Sequence, residues 1–207
     1  MIRIDHFRGF ESYWAVPAGE KTAKIGRWVK GPGMKLVGAL ISRFPQTSFI
    51  AEDLGYTTPE VAKLLSDSGL PGMKVLEFAF DSRDENTFMP HAYGPHCACY
   101  VGTHDNAPLM AWKKEADPAD VELARAYFGL NDDEGFAWGF IRGGMGSVAG
   151  LFVAQMQDYL ELGDRARTNT PGTVGENWQW RMRAGQASPE LAKRIATMTQ
   201  MYGRSAR

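Results

Sequence analysis

Long apolar runs are missing from this 207-residue chain, and so is any excess of one charge. No stretch is long enough to cross a bilayer as a helix. The formal net charge is −1, which excludes a global field that would draw the protein to nucleic acid or to an anionic membrane. Cysteine is scarce: only Cys97 and Cys99 occur. One residue separates them, so on an extended segment their side chains share a face with the Cα atoms roughly 6.6–6.8 Å apart, the far end of the disulfide range. Neither a disulfide nor a shared metal is then expected, and buried free thiols are. That fits a reducing, cytoplasmic setting. The opening MIRIDHFRGF has no apolar stretch of the kind a signal peptide needs. Internal repeats and low-complexity tracts are absent as well, which leaves an ordinary folded domain to explain.

Hydrophobic residues make up 44% of the chain, enough for a sizeable core in one domain or a little more. Aromatics make up 12%, with six tryptophans. Aromatic faces stack against sugar rings, but they also fill cores.

Punctuation divides the chain into elements. Ile2 to Asp5 reads as the end of a strand. Residues 11–33, rich in Gly, Trp and Lys, read as a long loop, which in a compact domain is usually functional or disordered. Gly33 to Phe44 carries apolar residues at helical spacing and stops at Pro45. Ser48 to Ala51 is a short apolar strand ending at Glu52-Asp53. Thr58-Pro59-Glu60 opens a helix with a capping hydroxyl, a proline in the first turn and an acid beside it, and that helix ends near Gly69. Lys74 to Phe80 and Ala98 to Gly102 read as strands. Asp117-Pro118 starts a helix running to Phe128 and Gly129, and a second helix is expected over Glu134 to Ile141. Leu151 to Met156 reads as a last strand, and Ser188-Pro189-Glu190 opens a C-terminal helix.

Strands alternating with helices imply a parallel sheet covered by helices. Asp5, Glu52 and Asp105 each fall just past the C-terminal end of an apolar strand, the edge at which parallel α/β folds bind ligands. Three acids on three strands at that edge make the pattern of a (β/α)₈ barrel site.

Each motif taken alone has a bland reading beside the chemical one. In Arg3-Ile4-Asp5 the alternation of a strand puts Arg3 and Asp5 on one face. A guanidinium keeps a neighbouring carboxylate ionised, as a glycosidase nucleophile must be, but a strand-end salt bridge looks the same. Glu52 follows an apolar strand, and a partly apolar wall favours the protonated form that a general acid needs. It is equally the kind of acid found at the start of many helices. His104-Asp105-Asn106 supplies several directional polar groups suited to sugar hydroxyls. No second His at helical spacing and no Cys pair accompanies it, so a metal is not expected.

Taken together, the segments RIDHFRGFESYW, GRWVKGPG, AEDLG, LPGMKVLEFAF, GTHDN and NWQWR occur in the order found in glycoside hydrolase family 77, the amylomaltases, which the whole chain resembles. The resemblance implies an α/β fold, the C-terminal portion of an α-amylase-like (β/α)₈ TIM barrel, about strands four to eight. On this basis residues 1–207 are a partial catalytic barrel, with the N-terminal strands expected to precede Met1. The implied activity is 4-α-glucanotransferase: a segment of an α-1,4-glucan passes to the 4-hydroxyl of an acceptor glucan or glucose. The resemblance makes Asp5 the nucleophile, Glu52 the general acid/base and Asp105 the residue that steadies the substrate and the oxocarbenium-like transition state. It also makes Arg3 the holder of the nucleophile, and His104 and Asn169 substrate contacts. Trp28, Lys30, Gly31 and Pro32 become part of a loop edging the acceptor side. Trp178 and Trp180 are read as packed in a C-terminal cap, with sugar platforms as the alternative.

No cofactor and no metal is implied. The implied partners are α-1,4-glucans such as maltodextrins, starch and glycogen-derived oligosaccharides, together with the missing N-terminal half of the same enzyme. Without that half, residues 1–207 are expected to expose a sheet edge and apolar surface, and to fold poorly or lack activity. One departure from the family follows GTHDN, where Ala107-Pro108 stands in place of an acid; this is expected to alter the loop after Asp105 and weaken one substrate contact. Two other functions compete: a hydrolysing α-amylase-type glycosidase with the same carboxylates, and a non-catalytic glucan-binding remnant.

Overall fold

A computed structural model describes residues 1–55, 57–81 and 88–205. The chain divides into two compact units, Met1–Met73 with His96–Ala98, and Lys74–Pro95 with Cys99–Arg207. Each is described by itself.

In the first unit, β1 (Ile2–Ile4) pairs in parallel with the fully buried β4 (Phe49–Ala51), with Ile4 opposite Ala51. Helix α1 (Met34–Arg43) and helix α2 (Pro59–Ser68) accompany this pair. The Thr58 hydroxyl accepts from the Val61 N–H and Gly69 closes α2 in the left-handed region, so the punctuation of the sequence sets both ends of that helix. Phe7, Val37, Phe49, Ala51, Leu64 and Leu70 form the core, with Ile4 and Phe10 against it.

The segment read as a loop over residues 11–33 instead contains a hairpin, β2 (Ser12–Ala15) with β3 (Arg27–Lys30). Trp14 lies opposite Trp28, with ring centroids 5.4 Å apart edge to face. Such cross-strand aromatic pairs stabilise antiparallel ladders. A Cβ on Gly26 would come within 2.5 Å of the Trp14 indole, so the ring packs where only glycine leaves room.

The strands β5 (Gly72–Val75), β6 (Cys97–Tyr100) and β7 (Leu151–Val153) form a three-stranded sheet in that order, and from Lys74 and Cys99 onward β5 and β6 belong to the second unit. The strand expected over Lys74 to Phe80 stops at Val75 and becomes helix α3 (Leu76–Ala79). Leu76, Glu77, Ala79 and Phe80 are buried while Phe78 is exposed, a helical distribution that a short apolar run conceals. Helix α4 (Leu109–Glu115) was not expected. Helices α5 (Pro118–Phe128) and α6 (Phe136–Met145) follow, the first capped by Asp117 and closed by Gly129. The segment Leu151 to Met156 is a strand only to Val153, and α7 (Met156–Tyr159) comes next. Helix α8 (Pro189–Met201) is capped by the Ser188 hydroxyl. Phe80 packs edge to face on Tyr127, Phe128 and Phe140, and Trp138 and Ile141 are buried as well. Cys97 and Cys99 are buried free thiols. Among the described residues, no helix is long and apolar enough to cross a membrane.

Candidate active-site carboxylates

In the first unit, Asp5 and Glu52 continue the β1–β4 register by one residue, because the Glu52 N–H donates to the Ile4 carbonyl at 2.9 Å. A regular parallel ladder would next send the His6 N–H to the Glu52 carbonyl. His6 is instead left-handed, with φ 47°, and the Phe7 N–H takes that carbonyl at 2.9 Å. The freed His6 N–H donates to Glu52 Oε2 at 2.7 Å, and the Leu54 N–H donates to Oε1 at 2.7 Å. One backbone irregularity thus holds the carboxylate at both oxygens. Arg3 donates to Asp5 Oδ1 at 2.7 Å, as the strand alternation predicts, and its other terminal nitrogen reaches Met73 Sδ at 3.7 Å. The Asp5 side chain is 73% exposed, open to a reactant.

The expected acceptor-side residues lie on and after β3. Lys30 is committed to Glu11, whose carboxyl it holds below the usual range. Gly31 has a structural reason to be glycine: a Cβ there would meet the Phe10 carbonyl oxygen at 2.3 Å. Trp28 is more than half exposed, with the Arg8 guanidinium 4.4 Å from the centre of its ring. Pro32 is exposed just before α1.

In the second unit, Asp105, His104 and Asn169 come together. The Asn169 amide donates to Asp105 Oδ1 at 2.6 Å, and His104 Nε2 lies 3.4 Å from the same oxygen. The Asn169 N–H bonds the His104 carbonyl at 3.1 Å, and Arg167 donates to the carbonyls of Asp105 and Asn169. Trp178 corrects the packed-cap expectation. It is 57% exposed, left-handed at φ 65°, and its ring centroid lies 5.0 Å from that of His104. A bulky residue in that backbone region is strained, and such strain clusters at ligand sites. Ala107 is buried and Pro108 precedes α4 as its cap, so the departure after GTHDN starts a helix.

Two buried carboxyls, Glu77 and Asp158, were missed. Glu77 could have been noticed as the lone acid in KVLEFAF; Asp158 has no such signal. Asp158 accepts from the Leu109 N–H at 2.8 Å and so holds the start of α4. Burial pushes its carboxyl up to about 6, and burial and then the Asp158 charge push Glu77 well above the usual range. A raised acid binds more protons folded than unfolded, so stability falls as pH rises from about 4 to about 6. For Asp158 the move from 3.8 to about 6 corresponds to about 3 kcal/mol. Asp158→Asn keeps an acceptor for Leu109 and removes the charge. Its stability gain over the parent, measured by urea midpoints, is expected to reach about 2–3 kcal/mol at pH 8 and to shrink towards zero below pH 4. A gain of the same size at both pH values would show that Asp158 is not the titrating group.

Acids at the ends of parallel strands, oriented by a guanidinium at Asp5, backbone N–H groups at Glu52 and an amide at Asp105, define an α/β protein of the glycosidase-barrel class. The sequence pattern described as 4-alpha-glucanotransferase, that of glycoside hydrolase family 77, matches residues 1–187, and the chain belongs to this family. It is 45% identical to a 4-alpha-glucanotransferase of Clostridium butyricum over 205 residues, covering 99% of this chain and 42% of that protein. It is also 45% identical to one of Thermus thermophilus over 207 residues, covering 97% of this chain and 41% of the relative. Its fold matches the amylomaltase from Streptococcus agalactiae in complex with acarbose, with TM-score 0.92 and 33% identity, over 99% of this chain and 41% of that one. The chain therefore has the TIM-barrel amylomaltase fold over its length, and spans about two fifths of the length of these relatives.

Proposed function

We propose that residues 1–207 are a partial (β/α)₈ catalytic barrel of a 4-α-glucanotransferase that works by retaining double displacement, together with further strands of the kind the longer relatives have room for. The observation that carries this reading is the register of Asp5 and Glu52 on neighbouring parallel strands. Strands in a sheet lie about 4.8 Å apart. That spacing suits the roughly 5–5.5 Å separation of a retaining pair, and it is short of the roughly 6.5–9.5 Å of an inverting one. The strand pair also has room for a neighbour: β1 pairs only with β4 among the described residues, and Ile2 is half exposed.

In the proposed reaction Asp5 attacks the anomeric carbon of an α-1,4-glucan while Glu52 gives its proton to the leaving glycosidic oxygen. The C–O bond breaks and a glucosyl ester of Asp5 forms. The 4-hydroxyl of the acceptor then attacks the same carbon, Glu52 takes its proton, and the carboxylate of Asp5 leaves. Arg3 holds Asp5. Asn169 and His104 orient Asp105, which steadies the oxocarbenium-like charge. The exposed faces of Trp178 and Trp28 offer stacking surfaces for sugar rings. The acarbose complex of the relative supports a carbohydrate ligand here. The substrates proposed are maltodextrins, starch and glycogen-derived oligosaccharides, in the cytoplasm, where the free thiols of Cys97 and Cys99 would stay reduced. No nucleic acid, membrane or cofactor enters the scheme.

The test is incubation with maltotriose followed by carbohydrate mapping, using the chain alone and the chain co-expressed with the remaining segment of a 45% identical relative. Transfer gives glucose and a ladder of longer maltodextrins in the co-expressed sample. Shortening without a ladder would mean a hydrolase. Glucan binding without turnover would mean a non-catalytic remnant.

A further inference from the structure

Glu77 is a buried acid that the proposed chemistry leaves unused. Its backbone N–H donates to the Val101 carbonyl at 3.1 Å, just past the end of β6. Its side chain lies against Gly102, where a Cβ would sit 2.8 Å from Glu77 Oε1 and 3.0 Å from Asn106 Cβ, so glycine is what admits the carboxyl. The Asn106 side chain meets the Glu77 side chain over Gly102, and its amide pulls the Glu77 carboxyl down as a nearby donor does, against the larger effect of burial. Asn106 Oδ1 already accepts from the Thr103 N–H at 2.9 Å and the Thr103 hydroxyl at 2.8 Å, which leaves the Asn106 amide N–H to face Glu77. Thr103 Oγ1 in turn accepts from the Asp105 N–H at 3.2 Å, and the Asn106 N–H closes the turn onto the Thr103 carbonyl at 3.1 Å. A polar relay therefore runs from Glu77 through Asn106 and Thr103 to the backbone of Asp105.

Glu77 is only 6% exposed, and its Oε1 has no hydrogen-bond partner. An orphaned buried oxygen costs about 1–3 kcal/mol, so an apolar residue of similar shape would be the more stable choice here. Resting on the glucanotransferase reading, we infer that Glu77 is a positioning residue, which fixes the Thr103–Asn106 turn and through it the aim of the Asp105 carboxylate. It does not touch substrate. Burial first, and then the Asp158 charge, push its carboxyl well above the usual range.

The experiment is a double-mutant cycle on maltotriose transfer in the co-expressed enzyme. Glu77→Leu cuts the relay and is expected to lower kcat about 100-fold with KM changed less than about threefold, the signature of a misaimed group. Glu77→Gln, which keeps an acceptor for Asn106, should stay within about fivefold of the parent. In an Asp105→Asn background, Glu77→Leu should cost nothing more, because the two act as one unit. Additive losses, or equal damage from Gln and Leu, overturn the inference. Should Glu77→Leu not fold, Asn106→Ala breaks the relay one bond further on and must show the same non-additivity with Asp105→Asn. Should the parent show no transfer, the glucanotransferase reading fails by itself. The relay is then read by hydrogen exchange, where Glu77→Leu should speed exchange of the Thr103 and Asp105 amides about tenfold relative to Cys99. Unchanged exchange would sink it.

Discussion

Asp5→Ala should lower glucan transfer by a factor of about 10⁴ or more while leaving the fold nearly as stable as before. Asp5 is largely exposed, and its ion pair with Arg3 is open to water. Exposed pairs contribute about 0–1 kcal/mol, so the urea midpoint should move little. The chemical loss is of another order, because no other carboxylate stands beside Arg3 on this strand to form the glucosyl ester. The Arg3 guanidinium stays behind, held in part by Met73, and marks a site for a small anion. Added azide should therefore restore turnover by attacking the anomeric carbon directly from the vacated side, giving a glucosyl azide of inverted configuration. The two readouts are maltotriose mapping and NMR of the azide product. A variant that keeps more than about one part in a hundred of parental transfer would remove Asp5 from the nucleophile's role.

Legibility followed local chemistry. The three helices opened by Thr58-Pro59, Asp117-Pro118 and Ser188-Pro189 were visible because a capping oxygen and a fixed proline φ, and in the first two a closing glycine, act within a few residues. The placement of Arg3 beside Asp5 was legible for the same reason, since it follows from the two-residue period of a strand. What stayed hidden depends on partners distant in sequence. The hairpin rests on Trp14 meeting Trp28 across an intervening segment whose Gly and Lys content reads as loop. The turn from strand to helix at Leu76 cannot be told from an extended apolar run until burial on both sides is known. The left-handed His6 that frees an N–H for Glu52 is marked by no glycine, the residue that most often signals such a backbone position. The family resemblance named the carboxylates and Arg3, while the means of holding Glu52 and Asp105 came only from the hydrogen bonds.

Those hydrogen bonds also shape the second large effect, that of Glu52→Gln. Both Glu52 oxygens accept backbone N–H groups, from His6 and from Leu54. A glutamine offers one acceptor and one donor, so one of these N–H groups loses its partner, at about 1–3 kcal/mol of stability. On maltotriose, transfer should fall about 10³-fold, as expected when a general acid of the leaving oxygen is lost together with the base for the acceptor. On α-glucosyl fluoride the first step needs no proton, because fluoride leaves as the anion. Attack by Asp5 should therefore proceed at close to the parental rate while the second step stalls, and the protein should gain the mass of one glucosyl group. Azide, which needs no base, should discharge that ester and release a glucosyl azide of retained configuration, the opposite of the product expected from Asp5→Ala. The pair of variants thus assigns the two carboxylates by stereochemistry as well as by rate. If Glu52→Gln slows the fluoride as much as maltotriose, with no glucosyl ester detected, Glu52 is not the acid/base. Its two backbone donors would then mark it as a strand-end brace, and the acid would have to be sought elsewhere in the full-length enzyme.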